Sequence, residues 1–181
     1  EPLTSRSPTR EDKKSGTRVT AWPNPKYFDS SAIPQAELQR LLRSKAVLLP
    51  GVKVTLVHER TGESQTWQYD QGLRGYLTES LAQGSNAELV IPLFEGEQYA
   101  GRDAEGFAEG EGAAWVVAWT EDGNVMRESY VNLIPTPAGG THESGLREGL
   151  FGAVKNFVEM HALLPKGVKL LPEDVFARTS F

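Results

Sequence analysis

One stretch limits the folding of this chain more than any other: Ser129 to Arg147, which reads SYVNLIPTPAGGTHESGLR. An apolar run enters it, Pro135 and Pro137 fix the backbone where the run ends, and Gly139 and Gly140 permit a tight turn. A helix is then expected from Glu143 to about His161. A corner this stiff holds in place whatever the helix presents. Projected at 100° per residue, Leu146, Leu150, Val154 and Phe157 form a core stripe along that helix. Gly145, Gly149, Gly152 and Asn156 form a second stripe on another side. Glycine costs roughly 1 kcal/mol relative to alanine at each helix position, so the second stripe predicts a closely approaching backbone.

The rest of the chain reads as helices interleaved with antiparallel hairpins, which predicts an α+β class. Residues 1–14 lack apolar periodicity and are expected to be a flexible segment. GTRVTAWP predicts a short strand, with Val19 and Ala21 alternating with Arg18 and Thr20 before Pro23. Pro34 opens a helix to about Lys45 with Leu38, Leu41 and Leu42 on one face. GVKVTLVHER and ESQTWQYD, flanking Thr61-Gly62, predict a hairpin with Val52, Val54, Leu56 and His58 on one side. Gln71–Leu81 predicts a second amphipathic helix with Leu73, Tyr76, Leu77 and Leu81 inward, and a domain break falls near Asp70-Gln71-Gly72. The Gly- and acid-rich residues 95–114 predict a mobile loop. Asp122-Gly123, between AAWVVAWT and VMRESYVNLIP, predicts a hairpin whose Trp115, Val117 and Trp119 lie against a helix. After Leu164 come a turn, a short strand and a helix opening at Pro172 that the chain end cuts short.

Composition bounds the chemistry. With 39% apolar and 24% charged residues the chain is a globular type. The absence of cysteine excludes disulfides and zinc–thiolate sites and fits a cytoplasmic location. A net charge of −5 argues against a tight sequence-independent grip on nucleic acid by the whole chain, leaving room for a local basic feature.

No complete active site emerges. Gly139-Gly140-Thr141 before a helix suits an anion, yet no P-loop lysine follows, and Glu143 already complements the helix dipole. Thr141 as the helix cap accounts for the same residues. Arg147 either covers apolar surface with its stem or holds a guanidinium out to meet a phosphate or carboxylate. His58, His142 and His161 share no metal spacing, and Ser129, Ser144 and Ser180 lack a nucleophile elbow. Glu59, Glu63 and Asp70 read as solvated charges, and Glu105, Glu109 and Glu111 lack the spacing of a calcium loop.

Taken together, GTRVTAWPNPKYFDSS, LLRSKAVLLPGVKVTLVHERTGE, YDQGLRGYL and SYVNLIPTPAGGTHESGLREGL resemble the B subunits of bacterial type II topoisomerases from Ser15 to Phe181. SKAVLLPGV is closer to the topoisomerase IV branch than to gyrase B. The resemblance implies a fold in two parts. Residues 15–71 correspond to the C-terminal part of a GHKL ATPase α/β sandwich, and 72–181 to a ribosomal protein S5 domain 2-like transducer, C-terminally incomplete. It also implies an ATP-dependent enzyme that passes one DNA duplex through a break in another.

In that resemblance Thr17 contacts adenine and Val19 lines the apolar side of its pocket, while Arg147 faces a cavity between paired transducers that holds DNA. The cofactors implied are ATP and Mg2+. The family's general base, magnesium-binding asparagine, ATP lid, Gln-Thr-Lys loop and DNA-cleaving metal region have no counterpart here. The partners implied are DNA, the topoisomerase IV A subunit and a second B subunit on ATP binding, with no membrane. A gyrase B chain and a non-enzymatic α+β interaction module remain the alternatives.

Overall fold

The computed structural model describes residues 16–30, 32–84, 93–120 and 125–181. The chain divides into two compact units, one ending at Gln35 and the other spanning Ala36–Phe181. In the first, residues 16–24 form no strand, and Val19 is 83% exposed. The expected strand is therefore absent, because among the described residues no second strand supplies its ladder hydrogen bonds. Asn24 closes a turn there by accepting from the Tyr27 amide at 2.9 Å.

The larger unit takes in all but the first residue of α1 (Gln35–Leu48), which runs three residues beyond its expected end at Lys45. β1 (Val54–His58) and β2 (Glu63–Trp67) pair antiparallel, Val54 opposite Trp67 and His58 opposite Glu63. Along β1, Val54, Leu56 and His58 are the half-buried side, as the alternation requires. α2 (Gly72–Gly84) turns Leu77 and Leu81 fully inward. Two apolar clusters meet on this helix. Ala46, Val47 and Tyr69 pack with Val54, Trp67, Leu73 and Tyr76; Leu77 and Leu81 pack with Val116 and Ala118, and Leu73 touches both groups.

Residues 95–114 are not a loop throughout. β3 (Phe94–Tyr99) and β4 (Gly112–Trp119) form an antiparallel pair that takes in both ends of the segment. A strand has period two, and here the glycines serve it: a Cβ on Gly96 would meet the Trp115 indole at 2.6 Å. The helix-facing side of β4 is also the reverse of the expected one. Val116 and Ala118 pack on α2, because the smaller residues let the helix approach, while Trp119 meets the Phe94 ring at 6.2 Å. Val117 is buried as well, so the strand is covered on both faces.

β5 (Tyr130–Val131) and β6 (Ile134–Pro135) make a two-residue hairpin, and α3 (Thr141–Met160) follows the corner. α4 (Pro172–Phe176) opens where Pro172 predicts, with the Leu171 amide donating to Asp174 Oδ2 at 2.8 Å. It ends at Phe176 rather than at the chain end, and β7 (Thr179–Ser180) follows; no strand forms over 168–170.

β7 overturns the hairpin expected around Asp122-Gly123, whose turn lies outside the described residues. β4 pairs antiparallel with β7, Ala118 opposite Ser180. On the other side, Phe181 donates to Met126 O and accepts from the Glu128 amide, both at 2.9 Å, the pattern of a parallel pair. The chain end thus lies between the two arms that were expected to pair. A parallel pairing needs a long crossover, and α3 and α4 supply it.

Candidate functional site

The Ser129–Arg147 corner is built from backbone geometry upward. β5 turns into β6 through Asn132 (φ 48) and Leu133 (φ 69), the left-handed pair that a two-residue hairpin demands. Thr136 then donates its amide to Ser129 O at 2.8 Å, and the two hydroxyls lie 2.8 Å apart. Gly139 has φ 71, the left-handed region that favours glycine, and a Cβ there would stand 3.0 Å from Glu143 Oε2, the mobile end of a side chain that can give way. Gly140 is extended and takes the cap position of α3 with no side-chain cap. Thr141 is already the first helical residue, so its expected capping role is overturned: the chain enters the helix through Gly140. His142 Nε2 lies 3.2 Å from Thr136 Oγ1, tying the helix start to the corner.

A cleft of about 420 Å³ opens beside this corner, with Arg40, Arg127, Glu128, Tyr130, Thr136 and Glu143 among its lining residues. Glu128 is its hub. Tyr76 of α2 donates to both Glu128 oxygens at 3.2 and 3.1 Å, and Tyr130 donates to Oε2. Burial, then the Glu128 charge and its hydrogen bond, push the Tyr76 phenol up to about 12. Burial and the Glu128 hydrogen bond raise Tyr130 as well. Both phenols therefore stay protonated as donors. Tyr76 also meets the Tyr69 ring edge-on at 5.8 Å and lies 4.9 Å beneath the Arg43 guanidinium of α1. Arg43 donates to Tyr69 at 2.8 Å and pairs with Glu79 at 3.2 Å. From α1 to the corner the contacts are continuous: Arg43, Tyr76, Glu128, Tyr130.

The residues singled out from sequence are placed as follows. Thr17 and Val19 are both exposed in the smaller unit. Arg147 is half-buried, its guanidinium 4.4 Å above the Phe176 ring of α4. The expected glycine stripe meets no close backbone: a Cβ at Gly145, Gly149 or Gly152 would have nothing within 4 Å. Phe157 is 55% exposed, outside any core, and its ring lies 4.4 Å from the His161 ring, tilted at 47°. His58 bonds locally to Thr61 at 2.8 Å, and Arg102 pairs with Glu109 at 3.0 Å. Among the described residues no group of three or more His, Asp or Glu could hold a metal ion, and no helix is long and apolar enough to cross a membrane.

The hub itself escaped the sequence argument. Its signal was present: Glu128 and Tyr130 lie two apart in an extended run, hence on one side, and an acid inside an apolar strand needs partners.

The same fold is found in solved structures. The ATP-binding domain of topoisomerase IV of Francisella tularensis, solved with a small-molecule inhibitor, superposes with a TM-score of 0.61 at 32% identity, over 88% of this chain and 40% of that one. The 43K ATPase domain of Thermus thermophilus gyrase B, solved with an aminocoumarin, shares the fold at TM-score 0.64 and 19% identity, over 87% of this chain and 40% of that one. The fold is thus of the class anticipated, α+β with a GHKL ATPase-type relationship.

The chain belongs to the DNA gyrase B family, whose model matches residues 72–181. It is 44% identical to the B subunit of DNA topoisomerase 4 from Pseudomonas aeruginosa over 170 residues, which cover 93% of this chain and 25% of that protein. The chain therefore spans about a quarter of the length of that relative.

Proposed function

We propose that this chain is part of the ATP-operated clamp of a type II DNA topoisomerase of the topoisomerase IV kind. It relays ATP binding and hydrolysis to DNA strand passage, and so to decatenation, relaxation and chromosome segregation. Residues 15–71 form the end of the ATPase domain and 72–181 the transducer. The observation that carries this reading is the unbroken path from Arg43 on α1, through Tyr76 and Glu128, to Tyr130 at the stiff corner that launches α3. A relay needs elements that move as bodies, and a path of packed rings and charge-assisted hydrogen bonds transmits displacement without absorbing it.

In the assembled enzyme Thr17 and Val19 form one wall of the adenine pocket, completed by segments of the protein outside this chain. ATP supplies the binding and hydrolysis energy and Mg2+ its charge neutralisation, and both are bound mainly by segments outside this chain. Arg147, pinned at 4.4 Å over Phe176, presents a fixed positive charge to DNA in the cavity between two paired copies. Its partners are the topoisomerase IV A subunit, a second B subunit and DNA.

The test is Gly139→Val in the assembled enzyme. Gly139, at φ 71, is the turn residue whose backbone a β-branched side chain strains, whereas Gly140 is extended. Strand passage is expected to fall at least tenfold more than ATP turnover, since strain of ~1–3 kcal/mol at one residue loosens the corner without touching a nucleotide site. Equal losses in decatenation and turnover would overturn the relay.

A further inference from the structure

We propose that Lys45 is a latch: its ammonium holds the strained β5–β6 turn and so ties the position of α1 to the proline–glycine corner. This rests on the relay reading and deepens it by naming a second, independent link in that relay. Asn132 and Leu133 both occupy the left-handed region. Asparagine enters that region readily, whereas leucine is strained there by its Cβ. The flanking strands are two residues long each, so the ladder alone does little to impose the turn. A strained residue persists where its surroundings over-determine it.

What over-determines Leu133 comes from the other half of the chain. Lys45 Nζ donates to the Leu133 carbonyl, 88 residues away in sequence. Lys45 sits in the last turn of α1, where its charge would otherwise favour the carbonyls of its own helix. Its neighbours Ser44, Ala46 and Val47 are buried, so the root of the lysine is rigid and any displacement of α1 carries the ammonium with it. At the far side, Tyr130 is bound to Glu128 and Thr136 to Ser129. The turn is therefore gripped from α1 at its tip and from the corner at its base. Lys45 is a positioning residue: it acts through the Leu133 carbonyl, not on a ligand.

Amide hydrogen exchange on this chain tests the latch without ATP or DNA. In Lys45→Met, which keeps the stem and removes the charge, exchange of the Thr136 amide is expected to rise about tenfold, the effect of losing one charge-assisted hydrogen bond. Exchange within β4 is expected to stay unchanged, which shows that the fold is intact, and Lys45→Arg is expected to restore protection in part. Adding Leu133→Gly to Lys45→Met is expected to bring exchange back towards the parent value, because glycine adopts φ 69 without strain. A Thr136 amide indifferent to Lys45→Met, or no recovery with Leu133→Gly, overturns the latch. Raised exchange with turnover and strand passage still coupled in the assembled Lys45→Met enzyme supports the latch and sinks the relay reading instead.

Discussion

α2 and α3 carry the same kind of apolar stripe and meet different fates. α2, with 13 residues, buries Leu77 to 2% and Leu81 to 7% against Val116 and Ala118 of β4. α3, with 20, buries no residue fully. Its Leu146, Leu150 and Val154 are half-covered, and its last turns leave Phe157 and Met160 in solvent. Periodicity announces a face, and a partner surface is what turns that face into core. α2 has the small-residue side of β4; α3 is held chiefly at its beginning, by the corner and by Arg147 over Phe176.

The largest test of that contrast is a pair of truncations. Leu77→Ala should destabilise the chain by about 2–5 kcal/mol in urea denaturation, the cost of lost transfer energy plus a cavity. Leu150→Ala should cost roughly 1 kcal/mol, since a half-covered side chain loses less and leaves no closed void. Equal costs would break the distinction between the helices.

The second test concerns what α2 carries on its other side. The Tyr76 phenol is raised to about 12 from an ordinary 10, so the folded state favours the protonated form. Its contribution is complete below the unfolded value near 10 and is lost as pH rises through about 12. Stability should therefore fall between those values, by on the order of 1 kcal/mol once partial exposure is discounted. Tyr76→Phe should flatten that slope without abolishing it, because Tyr130 is shifted in the same direction. An unchanged alkaline slope in Tyr76→Phe would detach α2 from Glu128. Next in size is Arg147→Ala, expected to cost ~1 kcal/mol through the lost guanidinium–ring contact. Arg147→Lys should recover part of it, whereas no loss at all would leave the start of α3 without its tie to α4.

Local chemistry was legible where both partners lay nearby in sequence. Thr61-Gly62 between alternating runs gave the β1–β2 hairpin, and Pro172 gave the start of α4. The Asp122-Gly123 signal failed because β7, about 60 residues later, competes for the same hydrogen bonds, and no local pattern encodes a distant competitor. The β3–β4 pair was hidden because Gly96, which makes room for the Trp115 indole, looks in sequence like a glycine of a loop. At the site, the corner was visible from its prolines and glycines. Glu128 and Lys45 were not, since their roles depend on partners 52 and 88 residues away.

The smallest test runs in the opposite direction and returns to α3. Gly149 lies mid-helix, and a Cβ built there meets nothing within 4 Å. Gly149→Ala should accordingly raise stability by about 0.5–1 kcal/mol, from helix propensity alone. If the chain is destabilised instead, the glycine stripe faces a backbone after all, and the contrast with α2 is weaker than drawn. If the chain is stabilised while assembly with the proposed partners weakens, the stripe is the seat of an intermolecular contact. In that case α3 is half-exposed alone because its remaining partner surface arrives with the complex.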